Sequence, residues 1–303
     1  MTALVYILLC LVWGSSWIAI KLGLSHAPPL YTSGMRFLLA WMVLTSIALV
    51  RSYAFPRSVT RWLRLGYPGL YMYGVSYALI YFAEQYIDSS LTAVLFGSFP
   101  FWVAGLSHWL LKEERIGGVA WIGLLIGFAG VVVISYDQWQ LSGELFLGTM
   151  LALAGTFAAA YGMVLHKRQF VNENIVVSTS VQMSIGGVPL LLGAVIFERF
   201  SDFTFTLQSV GSIVYLALFA TVFTFLSYYW LMRKTTAVVV SLIAFVTPVV
   251  AIGIGVPFFG ESMTMLTVVG SALILSGIVL VVRKPRRTRA VKETGTQKTS
   301  HAV

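Results

Sequence analysis

The sequence predicts an all-α integral membrane protein, with ten transmembrane helices arranged as two five-helix repeats, the second inverted relative to the first. Three observations carry this expectation. Hydrophobic residues make up 58% of the 303 residues and charged residues only 10%, with a mean hydropathy of +0.86; a soluble globular protein carries about 25% charged residues. An apolar unit is written twice: Leu91 to Ile134 matches Val239 to Val281, pairing Pro100 with Pro248, Glu114 with Glu261, and Gly123 and Gly130 with Gly270 and Gly277. The prolines are 148 residues apart and the later markers 147, so one residue slips between them. Finally, the basic residues fall in alternate connections, as they do in multi-pass membrane chains.

A helix that crosses the hydrocarbon core needs about 20 apolar residues. By that measure the spans are 3–24, 29–50, 65–86, 89–111, 116–136, 145–165, 175–197, 209–232, 235–259 and 264–282. The first has no Lys or Arg ahead of it and no small-residue cleavage site, so it reads as a span and not as a signal peptide. The third is rich in tyrosine. The fourth and ninth carry Pro100 and Pro248 mid-span, where proline removes a backbone donor and kinks the helix. The fifth carries Gly123, Gly127 and Gly130, which allow close approach of a neighbouring helix. The expected units are residues 1–140, residues 141–283, and a basic, disordered tail over 284–303 that rests on anionic headgroups.

The tail holds seven Lys and Arg, which places the C-terminus in the cytoplasm, and ten spans place the N-terminus there too. Seventeen of the 20 basic residues then lie in connections or the tail on the inner side, and only Arg199 lies in an outer one. An odd number of spans would put basic loops on both sides. A five-span repeat must invert on its second copy, so Glu114 falls inside and Glu261 outside. Such duplications mark many secondary transporters, whose site lies near the midplane between two similar gates. The expected location is the cell (inner, cytoplasmic) membrane.

Several classes are excluded. No phosphate-cradling Gly-rich loop or soluble domain large enough to bind ATP is present, so the chain is no ATP-driven pump by itself. The net charge of +9 sits in short loops and the tail, which argues against nucleic acid. The single Cys10 excludes an internal disulfide. His26, His108, His166 and His301 lack metal-ligand spacing and read as structural or exposed; no metal or cofactor is expected. The 11 acids lie mostly in loops and interfaces, against an intramembrane enzyme, and a membrane scaffold has no need of two matched gates.

An ordered set of motifs runs through the chain: Trp13-Gly14-Ser15-Ser16-Trp17, Pro28-Pro29, Gly34-Met35-Arg36-Phe37-Leu38-Leu39-Ala40, Phe99-Pro100, Leu111-Lys112-Glu113-Glu114-Arg115, Thr247-Pro248 and Phe259-Gly260-Glu261. Together these resemble the EamA family of the drug/metabolite transporter superfamily over the whole chain except the tail. The resemblance implies metabolite movement, often export of amino acids or related small molecules. The alternative is efflux of hydrophobic or cationic toxic compounds. One departure is that the sixth span has Phe157-Ala158-Ala159-Ala160-Tyr161 where the first has the Trp13–Trp17 motif, so the two ends of the pore differ chemically.

Candidate cavity residues follow from spacing and from the repeat. Tyr73, Tyr77 and Tyr81 are spaced by four and share a helix face; the repeat offset matches Phe225 and Tyr229 to Tyr77 and Tyr81. A buried tyrosine needs a partner for its hydroxyl, which a polar substrate supplies; packing against helices or lipid is the alternative. Trp13, Trp17 and Tyr161 are candidates on the same logic, with interfacial anchoring as the alternative. Phe99, Pro100 and Pro248 mark the kinks whose freed carbonyls bind a substrate amine or act as hinges. Intramembrane charges are few and therefore informative. Lys21, Arg36, Glu84 and Asp88 lie in the same leaflet, as an outer gate or with Arg36 or Lys21 as an anchor for a substrate carboxylate; the alternatives are snorkelling for Lys21 and a structural ion pair for Arg36. Glu84 is the candidate for a coupling proton. The expected partners are a small-molecule substrate and the lipid bilayer, with the chain a monomer or homodimer.

Overall fold

The computed structural model describes residues 2–87, 89–111, 116–134, 143–247, 249–250 and 265–282, and among these every regular element is helical. Helix α1 (Thr2–Leu24) and α2 (Pro29–Val50) form the first pair. Pro29 occupies the first turn of α2, where a missing N–H costs nothing. The next two backbone donors, Leu30 and Tyr31, are taken by the Glu198 carboxylate at 2.8 and 2.9 Å. A negative group at a helix N-terminus satisfies both the orphan donors and the dipole.

Helix α3 (Val59–Gly69) runs into a six-residue π segment (Leu70–Val75) and then α4 (Ser76–Ala83). It begins ahead of the expected boundary at 65 because the Ser58 side chain caps it, accepting from the Arg61 amide at 3.2 Å. Arg61 and Arg64 therefore sit on its first turns and not in a connection. Helices α5 (Ser89–Phe96) and α6 (Phe99–Leu110) follow. Here the expected kink at Pro100 is instead a break. The helix is interrupted at Gly97 and Ser98, and Pro100 lies in the first turn of α6, where it takes no hydrogen bond away. Pro248, its expected counterpart, lies outside the described residues.

The remaining helices are α7 (Gly118–Ile134), α8 (Gly143–Phe170), α9 (Ile175–Phe197), α10 (Leu207–Ala217), a second π segment (Leu218–Phe223), α11 (Thr224–Met232), α12 (Ala237–Ser241) with helical residues 243–247 beyond it, and α13 (Met265–Val282). Asn174 caps α9, accepting from Val176 and Val177, and Thr206 with Ser209 forms a reciprocal capping box on α10. The two π segments stand 148 residues apart, the offset that relates the prolines.

Among the described residues, five helices are long and apolar enough to cross a membrane: Thr2–Leu24, Pro29–Val50, Glu144–Phe170, Ile175–Phe197 and Leu207–Met232. Gly118–Val133, Ala237–Thr247 and Val268–Val281 are shorter apolar helices. The contacts alternate between the halves. The first π segment and α4 lie on α8, and α10 and α11 lie on α1; α3 and the first π segment lie on α9, and α10 and the second π segment lie on α2. Helices α2 and α9 pack on each other, as do α7 and α13.

The α7–α13 crossing is built on glycine. A Cβ on Gly123 would stand 2.8 Å from the Gly277 carbonyl oxygen, and one on Gly130 would stand 2.5 Å from that of Gly270. Only glycine permits backbones this close. The earlier glycine of α7 meets the later one of α13, and the later meets the earlier, so the two helices run antiparallel.

Polar contacts gather at the two ends of the bundle. At one, Arg61 lies 3.5 Å from Glu173, Arg233 donates to the Val171 and Glu173 carbonyls, and Lys167 donates to those of Met232 and Thr235 at the end of α11. At the other, Glu198 holds α2, and His26 bonds Gln208 at 2.6 Å.

Candidate functional site

The Trp13–Trp17 motif brings α1 against the second half of the chain and against α5. Trp13 donates from Nε1 to the Ala220 carbonyl at 3.3 Å. A Cβ on Gly14 would collide with Val250 at 2.5 Å, so glycine sets how closely α1 approaches that segment. Ser15 bonds the Tyr215 hydroxyl at 2.6 Å, and Trp17 meets the Phe96 ring edge-on at 5.6 Å.

Arg36 projects from α2 to the same place. It is 1% exposed. Its Nε donates to Thr221 Oγ1 at 2.7 Å, one Nη to the Ala220 carbonyl at 3.1 Å, and the other lies 3.5 Å from the Tyr81 hydroxyl. The guanidinium also lies 4.8 Å from the centre of the Tyr77 ring and 5.3 Å from that of Phe37, within cation–π range. Ala220 and Thr221 belong to the second π segment. A π turn loosens the regular backbone ladder, and here the Ala220 carbonyl accepts from two side chains at once.

Between these groups is a cavity of about 60 Å³, room for a few waters and well below the ~300–1,000 Å³ of a small-molecule site. Trp13, Trp17, Arg36, Tyr77, Phe99 and Phe225 line it. So do Ser16, Ile20, Met72, Ile80, Phe96, Ala159, Tyr228, Ser241, Ala244 and Thr247, which the sequence reading did not single out. The repeat carried a signal for several of them. Tyr77 and Phe225, Ile80 and Tyr228, Phe96 and Ala244, and Phe99 and Thr247 are each 148 residues apart, and both members of every pair line the cavity.

The polar atoms of the wall are of two kinds. Ser16, Ser241 and Thr247 donate to the carbonyls of Trp13, Val238 and Ala244 on their own helices, so toward the cavity they offer acceptor lone pairs. Arg36 offers donors, and the Tyr228 hydroxyl is buried with no hydrogen-bond partner.

The other candidates lie elsewhere. Tyr73 and Tyr81 are fully buried behind the wall. Tyr73 bonds the Tyr229 hydroxyl at 2.8 Å, because the π segment rotates it away from the face that Tyr77 presents. Tyr229 continues to Gln182 at 2.8 Å, and Gln182 to His166 Nδ1 at 2.7 Å, while the His166 ring stacks on Tyr229 at 3.9 Å. This buried chain joins the first π segment to α8, α9 and α11. Its His166 and Gln182 links have no spacing signature in the sequence. Tyr161 stands apart, against Tyr71 and Phe157; Ala159 is the residue of that helix at the cavity. Pro100 is buried in α6 without lining the cavity. Lys21 is exposed. Glu84 caps the end of α4, with Oε1 buried and without a hydrogen-bond partner. Asp88 lies outside the described residues. Among the described residues no group of three His, Cys, Asp or Glu is placed to hold a metal.

The sequence profile of the EamA-like transporter family matches residues 1–136 and again 146–283. The chain belongs to the EamA-like transporter family. An uncharacterized transporter of Archaeoglobus fulgidus is 31% identical over 272 residues, covering 90% of this chain and 95% of that one. The uncharacterized transporter YoaV of Bacillus subtilis is 27% identical over 280 residues, covering 89% and 92%. The uncharacterized inner membrane transporter YedA of Escherichia coli K12 is 27% identical over 275 residues, covering 90% and 88%. A solved crystal structure with 17% identity superposes at a TM-score of 0.79 over 94% of this chain and 98% of its own, which shows a shared fold. With its long apolar helices, this EamA-like protein is a multi-pass membrane protein of a transporter family.

Proposed function

We propose that this EamA-like protein is a secondary transporter that moves small amphipathic metabolites across the cell membrane by alternating access. Ten spans in two inverted halves, with both termini in the cytoplasm, provide the two gates. The carrying observation is the cavity, whose wall contains four pairs of residues related by the repeat offset. Equivalent positions facing one central space are what a two-gated site requires. The antiparallel glycine crossing of α7 and α13 and the double match of the family profile support the inverted arrangement. Glu84 serves as the proton-coupling acid, supported by its buried, unpartnered Oε1 at the end of α4.

Efflux of hydrophobic or cationic compounds is the second reading, favoured by the aromatic wall of Trp13, Trp17, Tyr77, Phe96, Phe99 and Phe225. Arg36 in the same wall weighs against a cation.

The test is counterflow in liposomes with purified protein and labelled amino acids, organic acids and hydrophobic drugs. Wild-type protein is expected to exchange one metabolite class. Tyr77→Ala and Phe225→Ala are expected to lose roughly tenfold in rate, the scale of one buried aromatic side chain. Exchange of hydrophobic cations alone would move the assignment to drug efflux.

A further inference from the structure

We propose that the cavity selects small molecules bearing a monovalent carboxylate, and that Arg36 is the residue that reads this headgroup. The proposal rests on the cavity being the substrate site. Arg36 is 1% exposed, lines the cavity and keeps its charge at any physiological pH. Yet among the described residues its partners are all neutral: a hydroxyl on Thr221, the Ala220 carbonyl, the Tyr81 hydroxyl and two ring faces. A buried cation without an anion is strongly unfavourable, and cation–π contacts offset only part of that cost. A guanidinium has five N–H donors, and the contacts to Thr221, Ala220 and Tyr81 leave others for a ligand. A carboxylate matches that planar fork with two parallel N–H···O bonds.

A second observation points the same way. The charge of the wall is matched to a monoanion: Arg36 is the one Lys or Arg in the described wall, so a phosphate dianion would carry an unmatched charge. The aromatic remainder of the wall suits an apolar body. The Arg36 cation repels an amine lacking an acid group.

The experiment compares three headgroups on one body, using the full chain in lipid nanodiscs: 3-phenylpropionate, 3-phenylpropionamide and 3-phenylpropylamine, with thermal shift as the readout. The acid is expected to raise the Tm and the amide and amine are not. Arg36→Gln is expected to weaken acid binding by at least ~30-fold, as loss of one partner of a buried charge pair does. Because Arg36 also ties α2 to the second π segment, Arg36→Lys is the second variant; it keeps the cation without the planar fork and is expected to keep the preference for the acid over the amide at weakened affinity. Equal stabilisation by amine and acid, no stabilisation by the acid, or wild-type affinity in both variants overturns the proposal. Headgroup selectivity without counterflow in liposomes would sink the transport reading and leave Arg36 in place. Counterflow of acid and amine alike would do the reverse.

Discussion

Glu84 ends α4 three residues beyond Tyr81, and Tyr81 in turn approaches Arg36. Glu84→Gln keeps the shape and removes the titratable proton. If Glu84 couples a proton to transport, the variant exchanges substrate with a rate that no longer varies with pH between about 5 and 8. Full transport with the wild-type pH profile would remove Glu84 from the mechanism. At this scale the sequence was partly legible. Tyr77 and Phe225 were found from the repeat, and both line the cavity. Tyr73 and Tyr229 shared the same spacing argument but bond each other behind the wall. Tyr228 escaped attention because its repeat partner is Ile80, an apolar residue with no polar signal of its own.

The elements explain those misses. A four-residue spacing keeps side chains on one face only while the helix stays α-helical. The π segment at 70–75 lies across the tyrosine stripe, and its wider turn changes the face on which Tyr73 emerges. No composition or period announces a π turn, although its recurrence at 218–223 follows the repeat. The α7–α13 crossing was more legible, because small residues recurring at matched places have few roles other than close approach. Gly277→Ala places a Cβ 2.5 Å from the Gly123 carbonyl oxygen and 2.6 Å from the Gly127 amide. It is expected to cost about 1–3 kcal/mol, the usual range for overpacking, read as a lowered Tm of the purified protein. Gly211→Ala, with nothing within 4 Å of the added atom, is the control and is not expected to lower it, since alanine is the better helix former. A Tm unchanged by Gly277→Ala would mean that the crossing yields freely.

For the whole molecule, the proposed orientation rests on charge. The contacts of Arg61, Lys167 and Arg233 around Glu173 and the end of α11 gather three of the basic connections at one end of the bundle. Under the proposed topology that end faces the cytoplasm. Alkaline phosphatase fused after residue 303 is expected to be inactive and a fluorescent protein there to be bright. Alkaline phosphatase fused after Asp202, in the connection between α9 and α10, is expected to be active. Active phosphatase at the C-terminus would reverse the orientation.

The sequence by itself determined the class of molecule, the doubling of the unit and the segregation of charge. These are properties of composition and long-range repetition, and they survive any error in local boundaries. Tertiary structure alone decided which residues share the cavity. That depends on where the π turns rotate the helices, on the helix break before Pro100, and on the approach of α1 and α2 to a carbonyl some 200 residues away in the chain, at Ala220. Pairings at that separation have no local pattern, because they arise from the shapes that the helices present once they are packed together.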